Sequence, residues 1–409
     1  MSTQGPLIEM LRGAIEPRRD EMIADLARFV AIPTGRNHAP GLDEFRALVT
    51  ARLEALGART ESFPGDSKPS WLSDEGNPGP SSSPLPVSVA CTRDAPGTPR
   101  ILLAGHLDTV FDPRGSFQRL TIAPDGRTAT GPGVVDMKGG ILIALVALES
   151  LAQCGVDLPW TFFLNSDEET GTYHSASALR RLSPRYAYGI ALEPALPGGA
   201  LAIERKGSGQ FMIESRGLAA HAGRDFFAGE SAVYALAAVL TRVASMSDQD
   251  RGLTVNVGPL KGGEAANIVP DYAAAWGNVR FPDPRGADEL AASLDALATA
   301  PDDMPSITVR RSFNRPAKPI TPAAERLALT ARRCAESLGQ SLPFAATGGV
   351  CDGNIMQDAG LPTIDSMGVR GGGLHTSGEW IELDSLTERA LLLAVLLEHL
   401  ARAGTDEPR

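Results

Sequence analysis

The sequence predicts an α/β fold with a smaller α+β unit inserted into it. Three observations support this. Apolar runs of strand length end in acids or in histidine, and they alternate with runs of helical period. Between residues 210 and 312 the order changes to strand, helix, strand, strand, helix, strand, which is the split pattern of ferredoxin-like units. Beyond Arg315-Pro316-Ala317-Lys318-Pro319 the first pattern resumes. The domains expected are therefore 1–204 with 316–409, and an inserted 205–315. An insert of roughly 110 residues is long enough to hold its own core.

The elements follow in order. Leu7 to Val30 reads as one helix that stops at Ile32-Pro33, and Asp43 to Leu56 as a second, closed by Gly57. Phe63 to Pro86 turns to Pro, Ser and Gly and reads as an irregular insertion. Val87 to Thr92 and Arg100 to Ala104 read as neighbouring strands, and Leu120 to Ala123 with Ala129-Thr130 as a hairpin around Pro124-Asp125-Gly126. Gly140 to Gln153 is a helix; Trp160 to Asn165 and Gly189 to Leu192 are buried strands. In the insert, Gln210 to Ser215, Leu253 to Val257, Tyr272 to Phe281 and Ser306 to Ser312 are strands, with helices at Ser231 to Ser245 and Asp288 to Ala298. A last stretch of helix, Ala323 to Leu338, opens the return to the larger domain.

Composition narrows the function. The 409 residues are 43% hydrophobic and 21% charged, as in globular proteins, and two domains are expected at this length. A net charge of −11, from 38 basic and 49 acidic residues, argues against nucleic-acid binding. No apolar run approaches a membrane span. Met1 to Met10 lacks a basic stretch followed by an apolar one, which points to a cytoplasmic location, with a periplasmic one open to a processed form. Cys91, Cys154, Cys334 and Cys351 are scattered and read as free buried thiols.

The chemistry gathers at strand ends. Ile101-Leu102-Leu103-Ala104 runs into Gly105-His106-Leu107-Asp108, where period 2 puts His106 and Asp108 on one face. Asp136 sits in the turn Gly131-Pro132-Gly133-Val134-Val135-Asp136, Glu168 and Glu169 follow the strand ending at Asn165, and Glu193-Pro194 follows Leu192. His375 comes after Gly371-Gly372-Gly373 and is expected to return to the sheet that holds His106. Ligands collect outside the carboxyl ends of such strands. Two imidazoles and three carboxylates suit two divalent ions of the zinc class, with one carboxylate shared. Of the neighbours Glu168 and Glu169, one would bind metal and the other act as base on water.

These motifs in this order, His106-x-Asp108, Gly133-x-x-Asp136, Glu168-Glu169, Glu193-Pro194 and Gly373-Leu374-His375, resemble the M20 family of co-catalytic zinc peptidases. The chain looks most like the glutamate carboxypeptidase branch, and is similar also to acetylornithine deacetylase and succinyl-diaminopimelate desuccinylase. The resemblance implies a mixed-sheet di-zinc catalytic domain with an inserted dimerisation or lid domain. It implies two Zn²⁺, with Co²⁺ or Mn²⁺ as substitutes. Asp136 would bridge them, His106 and Glu193 would complete one site, and Glu169 and His375 the other. Asp108 would orient His106, Glu168 would be the general base, and a cis peptide is expected at Asp136-Met137.

In the insert, Gly217-Leu218-Ala219-Ala220-His221-Ala222-Gly223 resembles the family loop whose histidine reaches a neighbouring active site to hold an oxyanion. Asn267 and Arg280 match substrate contacts, Arg280 as a clamp on a carboxylate; Lys206, Arg315 and Gly349 are weaker matches. Where the family often has Gly-Gly-Ser-Asp, this chain has Gly348-Gly349-Val350-Cys351-Asp352. Cys351 is expected to pack, not to attack. The Phe63 to Pro86 segment has no family counterpart and is a candidate cover for the cleft. The implied function is amide hydrolysis releasing an amino acid from a small N-acyl or peptide substrate with a free carboxylate, by a homodimer that uses neither membrane nor nucleic acid. Glu193, rather than Asp, leans toward carboxypeptidases and deacylases. An acetylornithine-type deacetylase is the near alternative, and a non-catalytic dimeric binding protein the remote one.

Overall fold

The computed structural model describes residues 4–35, 38–72, 85–95, 100–300 and 302–403. The larger unit is built on a six-stranded sheet in the order Arg59–Phe63, Ser88–Arg93, Trp160–Asn165, Ile101–His106, Tyr188–Ala191, Thr363–Ile364. Its last four strands are parallel, and the first two join by antiparallel pairing. The mixed sheet buries every residue of Ile101–His106 and Trp160–Asn165, as central strands covered on both faces must be. Ile101, Leu103, Phe162 and Leu164 pack on the side of helix Gly139–Gln153; Leu102, Ala104 and Phe163 pack against Leu179, Ile355 and Met356. Because the four strands are parallel, His106, the acids after Asn165 and Glu193 all emerge from one edge.

Four expectations need correction. Val87–Thr92 and Arg100–Ala104 are not neighbours: Trp160–Asn165 lies between them, antiparallel to one and parallel to the other. Trp160–Asn165 is thus paired on both edges and buried throughout. The first helix is broken at Pro17 into Gln4–Ile15 and Arg19–Ala31, since a proline inside a helix removes a donor and clashes with the preceding turn. Phe63, which was expected to open the irregular insertion, instead ends an edge strand, Arg59–Phe63. His375 does not return to the main sheet. Gly371–Gly372 pairs with Trp380–Glu382 in a small sheet that also holds the Thr121–Ile122 and Thr128–Thr130 hairpin, and His375 lies in the loop between those first two strands. Gly373 at φ +72° and His375 at φ +61° turn the chain there.

The inserted unit has its own sheet. Gly207–Arg216, Thr254–Gly262, Tyr272–Phe281 and Ser306–Arg315 are ordered fourth, first, third, second, all antiparallel. Phe211, Ile213, Ala273, Ala275, Val279, Phe281 and Ile307 alternate onto one face and pack with Leu236, Val243, Leu290 and Leu294 of helices Ala232–Ala244 and Pro284–Asp295. Ser231 and Asp283 cap those helices, accepting from Tyr234 N and Gly286 N, the usual partners of an N-cap oxygen. By period 2 the other face presents Trp276, Asn278 and Arg280.

The chain crosses between the units twice, and Arg205 pairs with Lys318 at the crossing. The buried Asn354 amide donates to Lys206 O at 2.9 Å and Pro316 O at 2.8 Å, tying both crossings to one helix. Of the Phe63 to Pro86 segment, residues 73–84 lie outside the described residues. Its first part reaches the insert, where Trp276 Nε1 donates to Trp71 O at 2.9 Å. Among the described residues no helix is long and apolar enough to cross a membrane.

Candidate metal centre

His106 closes a central strand, and its ring is fixed at both nitrogens. Nδ1 lies 2.9 Å from the backbone carbonyl of Asp108, while Nε2 lies 3.1 Å from Asp136 Oδ1 and 3.9 Å from Glu193 Oε1. A carbonyl only accepts, so Nδ1 bears a proton, and Nε2 faces two carboxylates. That arrangement is repulsive unless a cation or a proton lies between them. A second group mirrors the first. His375 Nε2 is 3.2 Å from Glu169 Oε2 and 3.5 Å from Asp136 Oδ2. The ligand atoms of His106, Asp136 and Glu193, and those of Asp136, Glu169 and His375, lie within 4.8 Å of one another in each group. Asp136 belongs to both and directs one oxygen to each.

The electrostatics agree with this. Burial pushes Glu193 well up and Glu169 up to about 7, and the Asp136 charge adds to both. Burial also raises Asp136, but hydrogen bonds to the two imidazoles win and hold it low. Hydrogen bonds to Asp136 and Glu169 lift His375 to about 10. Three buried carboxylates around two imidazoles need positive charge, and imidazole with carboxylate is a donor set for zinc-class ions. The residues present therefore fit two cations.

The turn bearing Asp136 is held from outside. Gly133 takes φ +72°, and the Asp136–Met137 peptide is cis, as the resemblance implied. Glu379, 1% exposed, accepts from Gly133 N at 3.2 Å, Val135 N at 2.9 Å and Asp136 N at 3.1 Å. Met137 Sδ accepts from His106 N at 3.0 Å, tying turn to strand.

Asp108 acts differently from what was expected. Its backbone carbonyl, not its carboxylate, makes the 2.9 Å contact with His106; the carboxylate is 3.5 Å from the ring. That carboxylate accepts from Glu168 N at 3.2 Å and Glu169 N at 2.9 Å, and so positions the acidic pair. Glu168 lies in neither metal group. It is buried, burial raises its pKa, and it pairs with Arg315 at 2.7 Å.

A cavity of about 520 Å³ opens over the centre, lined by Asp136, Glu168, Glu169, Glu193 and His375, with Arg205, Arg280, Arg315 and Gly349 in its walls. Arg280 Nε donates to Asn278 Oδ1 at 3.2 Å, and its buried Nη1 has no hydrogen-bond partner among the described residues. Arg205, which the sequence reading passed over, is held by Asp365 at 2.7 and 3.0 Å. Cys351 is buried and donates to Asp365 Oδ2 at 2.6 Å, while its sulfur accepts from Gly353 N at 3.2 Å. Burial raises its thiol well above the usual range, as suits a packing and capping group. Three of the candidate substrate and oxyanion contacts do not line the cavity. Lys206 Nζ instead donates to Gly252 O at 2.6 Å. His221 and Asn267 are exposed on the insert, where Ala222 N donates to Asn267 O at 3.0 Å.

Sequence comparison agrees with this geometry. The sequence pattern of the peptidase family M20/M25/M40 matches residues 102–399. Carboxypeptidase G2 of Pseudomonas sp. is 27% identical over 312 residues, 74% of each chain. A probable carboxypeptidase of Ajellomyces dermatitidis is 29% identical over 249 residues, 54% of this chain and about half, 55%, of the relative. Among solved structures, aminopeptidase PepT from Bacillus cereus superposes with a TM-score of 0.71 at 22% identity, covering 94% of this chain and 99% of the other. An M20 family metallo-carboxypeptidase from Sulfolobus solfataricus gives 0.68 at 16% identity, covering 94% and 100%. With the matched pattern spanning most of its length, this chain is a hydrolytic enzyme that belongs to the peptidase family M20/M25/M40.

Proposed function

We propose that the protein is a two-metal amide hydrolase that releases an amino acid from an N-acyl or peptide substrate bearing a free carboxylate. The observation that carries this reading is Asp136, with one oxygen toward the His106–Glu193 group and the other toward the Glu169–His375 group. Two zinc ions, or Co²⁺ or Mn²⁺ in their place, supply Lewis-acid charge when bound, polarising the amide carbonyl and making water more acidic. Glu168 takes the proton from the attacking water and returns it to the leaving amine. Its raised pKa suits both transfers, and Arg315 fixes its position. Arg280, in the cavity wall and with no hydrogen-bond partner for its Nη1 among the described residues, holds the substrate carboxylate. The similarity to Carboxypeptidase G2 supports carboxypeptidase-like release of a C-terminal amino acid over acetylornithine-type deacylation.

The insert serves in this reading as a dimerisation and lid domain. Leu218, Phe226, Tyr234 and Ile268 are exposed there, and Phe227 is 99% exposed. In this reading these side chains would be covered by the second copy. In a homodimer, exposed His221 and Asn267 of one copy would serve the other's cavity. The test is a panel of N-acyl amino acids and dipeptides, each with a free or amidated C-terminus, on the zinc-loaded protein. Cleavage of the free acids and loss of cleavage on amidation are expected. Equal cleavage of both forms would remove Arg280 from its role, and no cleavage of any amide would refute the function.

A further inference from the structure

A second cavity, of about 510 Å³, lies between helix Asp384–Ala403, the first helix and the turn at Gly198-Gly199. It is lined by arginines 12, 370 and 389, by the carboxylates of Glu16 and Glu388, and by Ser341. None of its lining residues lines the catalytic cavity.

Two of the three arginines are neutralised. Arg12 pairs with Glu16 at 2.7 Å, and Arg370 with Glu382 and Glu388, both at 2.6 Å. Arg389 is not. It is 3% exposed, its Nη2 donates to Gly199 O, and its buried Nη1 has no hydrogen-bond partner among the described residues. No carboxylate among the described residues pairs with it; the two nearest in charge, Glu388 and Glu382, are taken by Arg370. Burial, with Arg370 beside it, lowers Arg389 to about 10. A guanidinium cannot escape this cost by losing its proton near neutral pH, so a buried one calls for a counter-charge.

We propose that this cavity binds a small oxyanion, a phosphate or a carboxylate, with the Arg389 guanidinium as its principal counter-charge. The site borders the catalytic one through a single loop. Leu196 and Pro197 line the catalytic cavity, Gly198 and Gly199 line this one, and the loop starts at Glu193. A bound anion would fix Arg389, and through Gly199 O the far end of that loop.

The test is thermal unfolding of the metal-loaded protein against increasing inorganic phosphate and, separately, acetate. Wild type, Arg389→Met and Ser341→Glu are compared; the second variant places a fixed carboxylate at the mouth, where Ser341 is exposed. Anion binding at the catalytic centre is common to all three and cancels. The expected result is a rising unfolding midpoint in wild type, with apparent affinity about tenfold weaker or worse in both variants. Response to phosphate alone assigns a tetrahedral oxyanion, and response to acetate alone a carboxylate. Identical responses in all three proteins, or no response in wild type, overturn the proposal. Should Arg389→Met fail to fold, Ser341→Glu decides.

Discussion

Replacing Glu379 by alanine should damage the metal centre without touching a ligand. Its carboxylate accepts three backbone N–H groups of the turn that presents Asp136. Each buried donor left without a partner costs about 1–3 kcal/mol. Three in one turn relax together, and some admit water, so the net loss is about 3–5 kcal/mol. For a unit of this size that corresponds to a melting midpoint lower by about 10 °C. Glu379→Gln keeps an acceptor for two of the donors and sets an amide N–H₂ against the third, so it should lose about 1–2 kcal/mol. Calorimetry of the metal-free proteins reads these losses. Titration with zinc should then show weaker binding in both variants, the alanine variant more so. Unchanged stability together with unchanged zinc affinity in Glu379→Ala would refute the claim that this carboxylate holds the turn.

Other outcomes follow from the same geometry. Glu168→Gln should lower kcat by about 10²–10⁴-fold, with metal content unchanged by elemental analysis, because Glu168 is in neither ligand group. Arg280→Ala should raise KM for a carboxylate-bearing substrate by about 10–100-fold, from the loss of a charge-assisted bond of about 1.5–3 kcal/mol; an unchanged KM would clear it of that contact. In the metal-free protein, Glu169 raised to about 7 is penalised as pH rises through its folded pKa. His375 raised to about 10 loses its stabilisation as pH rises from its ordinary range toward 10. Both signs make the metal-free fold weaker from about pH 6 to about pH 8, while deprotonated ligands bind metal better. The gap between the metal-loaded and metal-free melting midpoints should therefore widen over that range, and a constant gap would contradict the ligand assignment.

Much of this was legible before any coordinates. Continuous apolar runs such as Trp160–Asn165 mark strands buried on both faces, and an acid or histidine directly after such a run has little choice but to gather at the sheet edge. That is why His106, Glu169 and Glu193 converge as their positions suggest. Strand order was less legible, because pairing between distant segments is decided by which strand gains most from two neighbours. His375 shows the same limit: a glycine run says that the chain turns, not which sheet it joins. Asp108 and Lys206 were placed correctly along the chain, but their side-chain directions depend on neighbours such as the Glu168 amide and Gly252 O. Glu379 left no mark in the sequence. It follows His375 by four residues, yet its role is visible only once the Gly133 turn folds against it.

The most direct measurement is stepwise zinc addition to the metal-free protein, following bound metal and hydrolysis of a free-carboxylate dipeptide in the same samples. Two equivalents per chain should bind, with turnover rising as they do, and His375→Ala should bind one equivalent fewer. Full turnover in protein shown to be free of metal would contradict the two-metal reading of Asp136.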